Sequence, residues 1–263
     1  MYTNTKKRPG LPFRLGTTSY IIPADILPNL RFLAHRVDDV ELVLFESDQY
    51  SNLPTASDVA EMASIGEESG LTYTVHLPLD AWPGSTDEAI RKTSMEKWLR
   101  VMDLMDVLHP FGWIVHLDTP PLNDASAVSA WQEQCRRSLE TLARRVDASK
   151  LCVETLSYDY SLAWPPAFKT GCSVCMDVGH LVLNDYDVAA YFDSWFDRTR
   201  VVHLHGVRSG GRDHSDLRYL DSGILRLLME QLTVSAHIPR VVTLEIFSQT
   251  DLEISLRVLE GVF

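Results

Sequence analysis

The sequence predicts a single (β/α)8 barrel, and three observations carry the prediction. Eight short apolar runs with strand character alternate with helical or loop segments along all 263 residues. No shift in composition marks a linker, and the length suits one such barrel. No Gly-x-Gly-x-x-Gly follows the first run, which disfavours a doubly wound dinucleotide-binding sheet. The expected domain spans residues 1–263, with residues 1–12 as a ragged N-terminal tail.

The first run is Phe13–Tyr20, and Pro23-Ala-Asp25 opens a helix through about His35. The second, Val40–Glu46, precedes a helix that starts near Ser57, expected as its cap, and stops at Gly70. Leu71–Leu77 is the third, and Ser85–Glu88 has capping-box spacing before a helix reaching about Leu108. Trp113–Asp118 is the fourth, followed by a helix over about Asp124–Val146. Leu151–Leu156 is the fifth, and Cys172–His180 carries the sixth, with a turn expected at Gly179. After a helix near Asp187–Asp197 comes the seventh, Arg200–His205, then a Gly-rich loop over Gly206–His214. A helix over about Asp216–Leu232, the eighth run Arg240–Phe247 and a terminal helix complete the chain.

Hydrophobic residues make up 45% of the chain, enough for a substantial core. The formal net charge of −12 argues against a duplex-DNA binder, which needs a basic stripe to displace counterions. No apolar run has the length of a transmembrane helix, and the basic start Met1–Gly10 lacks a signal-peptide core. The 4 cysteines, Cys135, Cys152, Cys172 and Cys175, read as buried free thiols in a reducing, cytoplasmic setting. Cys172 and Cys175 form one C-x-x-C with no second pair to complete a zinc site.

Barrel enzymes place their chemistry at the carboxyl ends of the strands. His76, His116, Glu154, Asp177, His203 and Glu245 fall at or near such ends on the third to eighth runs. Alone, a strand histidine is usually a hydrogen-bonded core residue, and a strand-end carboxylate caps the next helix. Their recurrence on six successive strands points to a metal site instead. Mixed imidazoles and carboxylates suit zinc foremost, with manganese or iron as alternatives, and one to three ions are expected. His180 and His214 join the candidate ligands, with Glu46 and Asp118 open either way. His203 and His205 face the same side of an extended strand, so one binds metal while the other contacts substrate or supports the first. The candidate catalytic groups are Glu154, Glu245, His205 and Arg212. Arg208 and Arg212, in the Gly-containing loop, suit a phosphate clamp and equally an ordinary solvated loop. Trp82, Tyr158 and Trp164, with Tyr160, lie on loops at the expected barrel mouth. They suit a large flat ligand or packing over the rim.

These residues resemble the xylose-isomerase-like barrel superfamily, which includes endonuclease IV and sugar isomerases and epimerases. The resemblance spans essentially the whole chain, to Val241–Phe247. It implies a cluster of up to three ions held by His76, His116, Glu154, Asp177, His180, His203, His214 and Glu245. The expected Asp-x-His is replaced by Arg212-Asp213-His214, which leaves the third ion open, whereas the single-ion set Glu154, Asp177, His203 and Glu245 is complete. Within the superfamily, LGTTSYIIPADILPN, DVELVLFES and TVHLPLD are similar to the cobamide-remodelling phosphodiesterases of the CbiR family. That resemblance implies hydrolysis of the nucleotide loop of an adenosylcobamide, a small-molecule substrate. The sequence does not fix an oligomeric state.

Overall fold

The computed structural model describes residues 10–47 and 50–262. Residues 1–9 of the expected tail lie outside them, whereas Leu11, within that expected tail, is buried.

The eight barrel strands are β1 (Arg14–Thr18), β2 (Asp39–Val43), β3 (Thr72–His76), β4 (Trp113–Val115), β5 (Leu151–Glu154), β6 (Ser173–Asp177), β7 (Thr199–Leu204) and β10 (Val241–Leu244). They close in the order β1-β10-β7-β6-β5-β4-β3-β2, every pairing parallel. Closure leaves no barrel edge, so each strand's backbone groups are paired on both sides. The strands are fully or nearly fully buried, as strands covered by helices on one side and by the lumen on the other must be.

The helices are α1 (Ile26–Leu33), α2 (Ala56–Ser69), α3 (Glu88–Met105), α4 (Ala125–Leu142), α5 (Trp164–Thr170), α6 (Val178–Leu183), α7 (Val188–Trp195), α8 (Ser222–Val234) and the terminal α9 (Gln249–Glu260). Each longer helix turns one apolar stripe inward; on α4 it is Trp131, Cys135, Leu139 and Leu142, at helical spacing. All 4 cysteines are free and buried.

Several local expectations are corrected. Thr55, not Ser57, caps α2 in a reciprocal box with Asp58, worth about 1 kcal/mol. Asp87 caps α3 through Ala89 N and Ile90 N, so the expected box at Ser85–Glu88 does not form. A single 3-10 turn occupies Leu217–Tyr219, and α8 starts only after the Asp221 cap. The short helices α5 and α6 are additions to the expected elements. The turn expected at Gly179 lies inside α6, with Asp177 as its cap. The expected loop after the seventh strand is an antiparallel ribbon, β8 (Gly206–Arg208) and β9 (Arg212–Ser215), turned at Gly210 and Gly211 with φ of 84° and 77°.

Two buried arginines tie the amino ends of the strands together. Arg14 donates to the carbonyls of Asp38 and Gly70 at 2.6 and 2.9 Å. Arg240 donates to the carbonyls of Thr199, Ser235 and Phe196 at 2.9, 3.1 and 3.0 Å and lies over the Phe196 ring. Replacing it by leucine leaves those carbonyls without their donor in a dry site. Arg240→Leu should cost about 3 kcal/mol in urea unfolding, and an unchanged midpoint would show that the carbonyls find water instead.

Candidate metal centre

The strand ends deliver the site. His76, Glu154 and Asp177 are the last residues of β3, β5 and β6; His116, His205 and Glu245 follow β4, β7 and β10 by one residue. His203 lies within β7, His180 in the first half of α6, and Asp213 and His214 on β9. The parallel register sets Asp177 beside His203. Side chains two residues apart share a face, so the layer beneath the ligands is also fixed. Ile114, Cys152, Cys175 and Val201 form an apolar cluster under His116, Glu154, Asp177 and His203.

Glu154 is the hub of the cluster. Its Oε2 lies 2.8 Å from His116 Nε2 and 3.5 Å from His76 Nε2. Its Oε1 lies 3.5 Å from both His180 Nδ1 and His203 Nδ1. The two oxygens thus serve two separate sets of imidazoles. Three-residue groups with donor atoms within 4.8 Å of one another are His76–His116–Glu154, Asp177–His180–His205, His180–Asp213–His214 and His205–His214–Glu245.

The donor atoms fit a divalent transition ion. In the cluster, Asp177 Oδ2, His203 Nδ1, His205 Nε2, His214 Nδ1 and Glu245 Oε2 are buried without a hydrogen-bond partner. His203 Nδ1 is 3.2 Å from Glu245 Oε2, yet the two make no hydrogen bond. Buried polar atoms are nearly always satisfied, so a set that clusters without bonding could hold an ion. His76 shows the supporting contact such ligands use: its Nδ1 donates to the Leu77 carbonyl at 2.9 Å, which leaves Nε2 as the free donor atom. Cys175 lies within reach of Glu154 and His203, but burial raises its thiol pKa well above the ordinary value, so it stays a protonated neighbour.

The electrostatics match. Burial opposes charge on His76, but the Glu154 bond and the charges of Glu154, Glu41 and Glu245 prevail and raise its pKa to about 9. Burial pushes Glu154 up, yet His116 and His203 hold it well below the usual carboxylate range. Glu245 is likewise lowered against burial, mainly by His203. Burial lowers His214, so its ring is neutral at pH 7.

The other expected residues are placed as follows. Arg212 is exposed on β9. Arg208 lies over the Tyr219 ring, 3.7 Å from Asp216 and 4.0 Å from Asp251. Tyr158 donates to the Leu117 carbonyl at 2.8 Å and packs edge-on against Trp131. Trp164 packs between Tyr160 and Phe168. Both rings belong to the rim, and of the three named aromatics Trp82 is the exposed one. Glu46 turns away to Arg100. Asp118 lies 4.0 Å from His116 Nδ1. Sequence reasoning misses two residues of the site: Asp213, and Glu41, whose Oε2 is 2.9 Å from His203 Nε2. Glu41 sits mid-strand in DVELV, where no strand-end signal exists, although period-2 alternation points it to the lumen with Asp39 and Val43.

A family model described as xylose isomerase-like TIM barrel matches residues 34–261. The chain belongs to that family. Solved structures agree on the fold. A D-tagatose 3-epimerase-like protein superposes with a TM-score of 0.76 at 17% identity, over 95% of this chain and 97% of that one. Endonuclease IV from Thermus thermophilus gives 0.70 at 18% identity, over 94% and 99%. The IolI protein with a binding zinc atom gives 0.73 at 9% identity, over 95% and 98%. A search of curated proteins finds no match. Among the described residues, no helix is long and apolar enough to cross a membrane.

Two outcomes follow from the site. An ion bound through His76 Nε2 must displace a proton that stays on the ring up to about pH 9. Metal affinity should therefore rise with pH from the ordinary histidine value of 6.5 toward about 9. In the metal-free protein the stability drawn from that proton is full below 6.5 and is lost as pH rises through about 9. Calorimetry in two buffers of different ionisation enthalpy measures the released protons, and pH-independent binding would contradict the reading. Separately, a Cβ at Gly179 would lie 2.1 Å from His205 Cε1. Gly179→Ala should cost about 1–3 kcal/mol and lower metal content by elemental analysis; wild-type values for both would refute that close approach.

Proposed function

We propose that the chain is a metal-dependent phosphodiesterase whose substrate is the nucleotide loop of a cobamide. The observation that supports hydrolysis most is Glu154, with one oxygen toward His76 and His116 and the other toward His180 and His203. A single-ion isomerase has no use for the first pair or for the further group His180–Asp213–His214. A multi-ion centre uses all of them, since phosphodiester cleavage needs charge neutralised on both entering and departing oxygens.

Divalent ions held here would polarise a phosphoryl oxygen and make a water more acidic. The protein supplies the rest. Asp177, Glu154 and Glu245 give the centre its negative charge, and the low pKa values of Glu154 and Glu245 keep those two ionised. His214, packed 5.4 Å from the Phe247 ring, offers its unpartnered Nδ1 to an ion in the His180–Asp213–His214 group. Arg212, exposed on the ribbon beside His214, offers paired N–H donors to non-bridging phosphate oxygens. Phe45, Leu79, Trp82 and Phe247 are exposed on segments that follow barrel strands, an apolar rim suited to a large ligand. Water adds across one P–O bond, so the phosphate stays with the cobinamide and a hydroxyl returns to the ribose. The corrinoid identity rests on the resemblance of LGTTSYIIPADILPN, DVELVLFES and TVHLPLD to the CbiR family.

A second reading has its own support. Asp177 Oδ2, His203 Nδ1 and Glu245 Oε2 are all unpartnered, and with Glu154 they suffice for one ion. That set fits a ketose epimerase.

Incubating the metal-loaded protein with adenosylcobalamin should give cobinamide phosphate and the free lower-ligand nucleoside by mass spectrometry. Glu154→Gln should reduce that turnover more than about 100-fold, beyond the roughly 10–100-fold of a supporting residue. Turnover of a ketose with the corrinoid intact would replace this reading with the epimerase.

A further inference from the structure

His203 and His205 lie two residues apart, both fully buried, and the groups behind them differ. We propose that Glu41 is a positioning residue that keeps the proton of His203 on Nε2 so that Nδ1 faces the ion. The inference rests on reading this cluster as an ion site and is independent of the substrate.

A neutral imidazole has one N–H and one lone-pair nitrogen, and the partner of one fixes the role of the other. Glu41 Oε2 lies 2.9 Å from His203 Nε2, and a carboxylate oxygen accepts the ring N–H. The proton is therefore on Nε2. The lone pair left on Nδ1 has no hydrogen-bond partner and lies 3.2, 3.5 and 3.9 Å from oxygens of Glu245, Glu154 and Asp177.

His205 is held the other way. Its Nδ1 accepts the His214 backbone N–H at 3.1 Å. The Gly206 carbonyl is 3.4 Å from the same atom, too long to compete. Two features fix this contact: His214 is a non-glycine residue at φ 48°, and Gly179 leaves no room for the ring to shift. The proton of His205 is thus on Nε2, which lies 3.2 Å from Asp177 Oδ1 without a hydrogen bond. Asp177 Oδ1 accepts the His180 N–H at 2.7 Å. The His180 N–H holds Oδ1, whereas Asp177 Oδ2, 3.0 Å from His180 Nδ1, and His205 Nε2 are both unpartnered. His205 has no lone pair to give an ion, so His203 is the ligand of the two.

Cadmium-113 loaded into protein with 15N-labelled histidine reads the atoms directly. The wild type should show cadmium coupling at His203 Nδ1 with a proton on His203 Nε2, and no coupling at either nitrogen of His205. Glu41→Gln keeps the shape of the side chain and removes its charge. It should bind cadmium roughly 10–100-fold more weakly while the metal-free protein unfolds at the wild-type temperature. A purely structural Glu41 would instead lower that temperature and leave the affinity of the folded protein unchanged. Coupling at His205 or at His203 Nε2, no cadmium binding by the wild type, or wild-type affinity in Glu41→Gln would each overturn the proposal. Normal couplings in a protein that leaves adenosylcobalamin intact would overturn the phosphodiesterase reading alone.

Discussion

Four carboxylates, Glu41, Glu154, Asp177 and Glu245, are gathered in the upper lumen of the barrel, and the rest of the structure depends on neutralising them. Each is at least nine-tenths buried. Uncompensated, such a group takes up a proton or unfolds its surroundings, because the interior cannot solvate the charge. Here Glu154 is held well below the ordinary carboxylate range by imidazoles, and the neighbouring His76 carries a raised pKa in turn. The cluster is built for positive charge. Protons provide it in the metal-free protein, and divalent ions are the better fit, since they satisfy atoms such as His203 Nδ1 and Glu245 Oε2 that no proton reaches in good geometry.

The barrel supports this cluster asymmetrically. Beneath His116, Glu154, Asp177 and His203 the lumen is filled by Ile114, Cys152, Cys175 and Val201, which lock those strands in place by close packing. Beneath His76 and Glu245 the corresponding positions are Thr74 and Thr243, beside Glu41 and His203 in the register. Burial also pushes Asp39, one layer lower on the Glu41 strand, up to a pKa of about 6. The apolar half sets the geometry and the polar half tunes it, which is why a mid-strand residue such as Glu41 bears on the ligands above.

Much of this is legible in the sequence, for physical reasons. Buried parallel strands are short apolar runs, and a charged residue ending one has few places to go but the mouth, so His76, Glu154 and Asp177 declare themselves. Glu41 does not, because it interrupts an apolar run where an ordinary surface residue would look the same. The ribbon over Gly206–Ser215 reads as a loop in the sequence, although Gly210-Gly211, at the end of the short turn between the paired Arg208 and Arg212, is a hairpin signal. Flanking arginines hide the alternation that would support it. The aromatics are ambiguous by nature: Tyr158 and Trp164 are amphipathic rings that serve a rim as well as a ligand, and only their neighbours decide.

The central claim is that Glu154 lies between ions rather than beside one. Anomalous diffraction at the zinc absorption edge, on crystals of the zinc-loaded protein, tests it most directly. The account predicts at least two peaks, one bounded by His76, His116 and Glu154 and another by Glu154, Asp177, His203 and Glu245. A single peak at the second position, with His76 and His116 bonded only to Glu154, would contradict it.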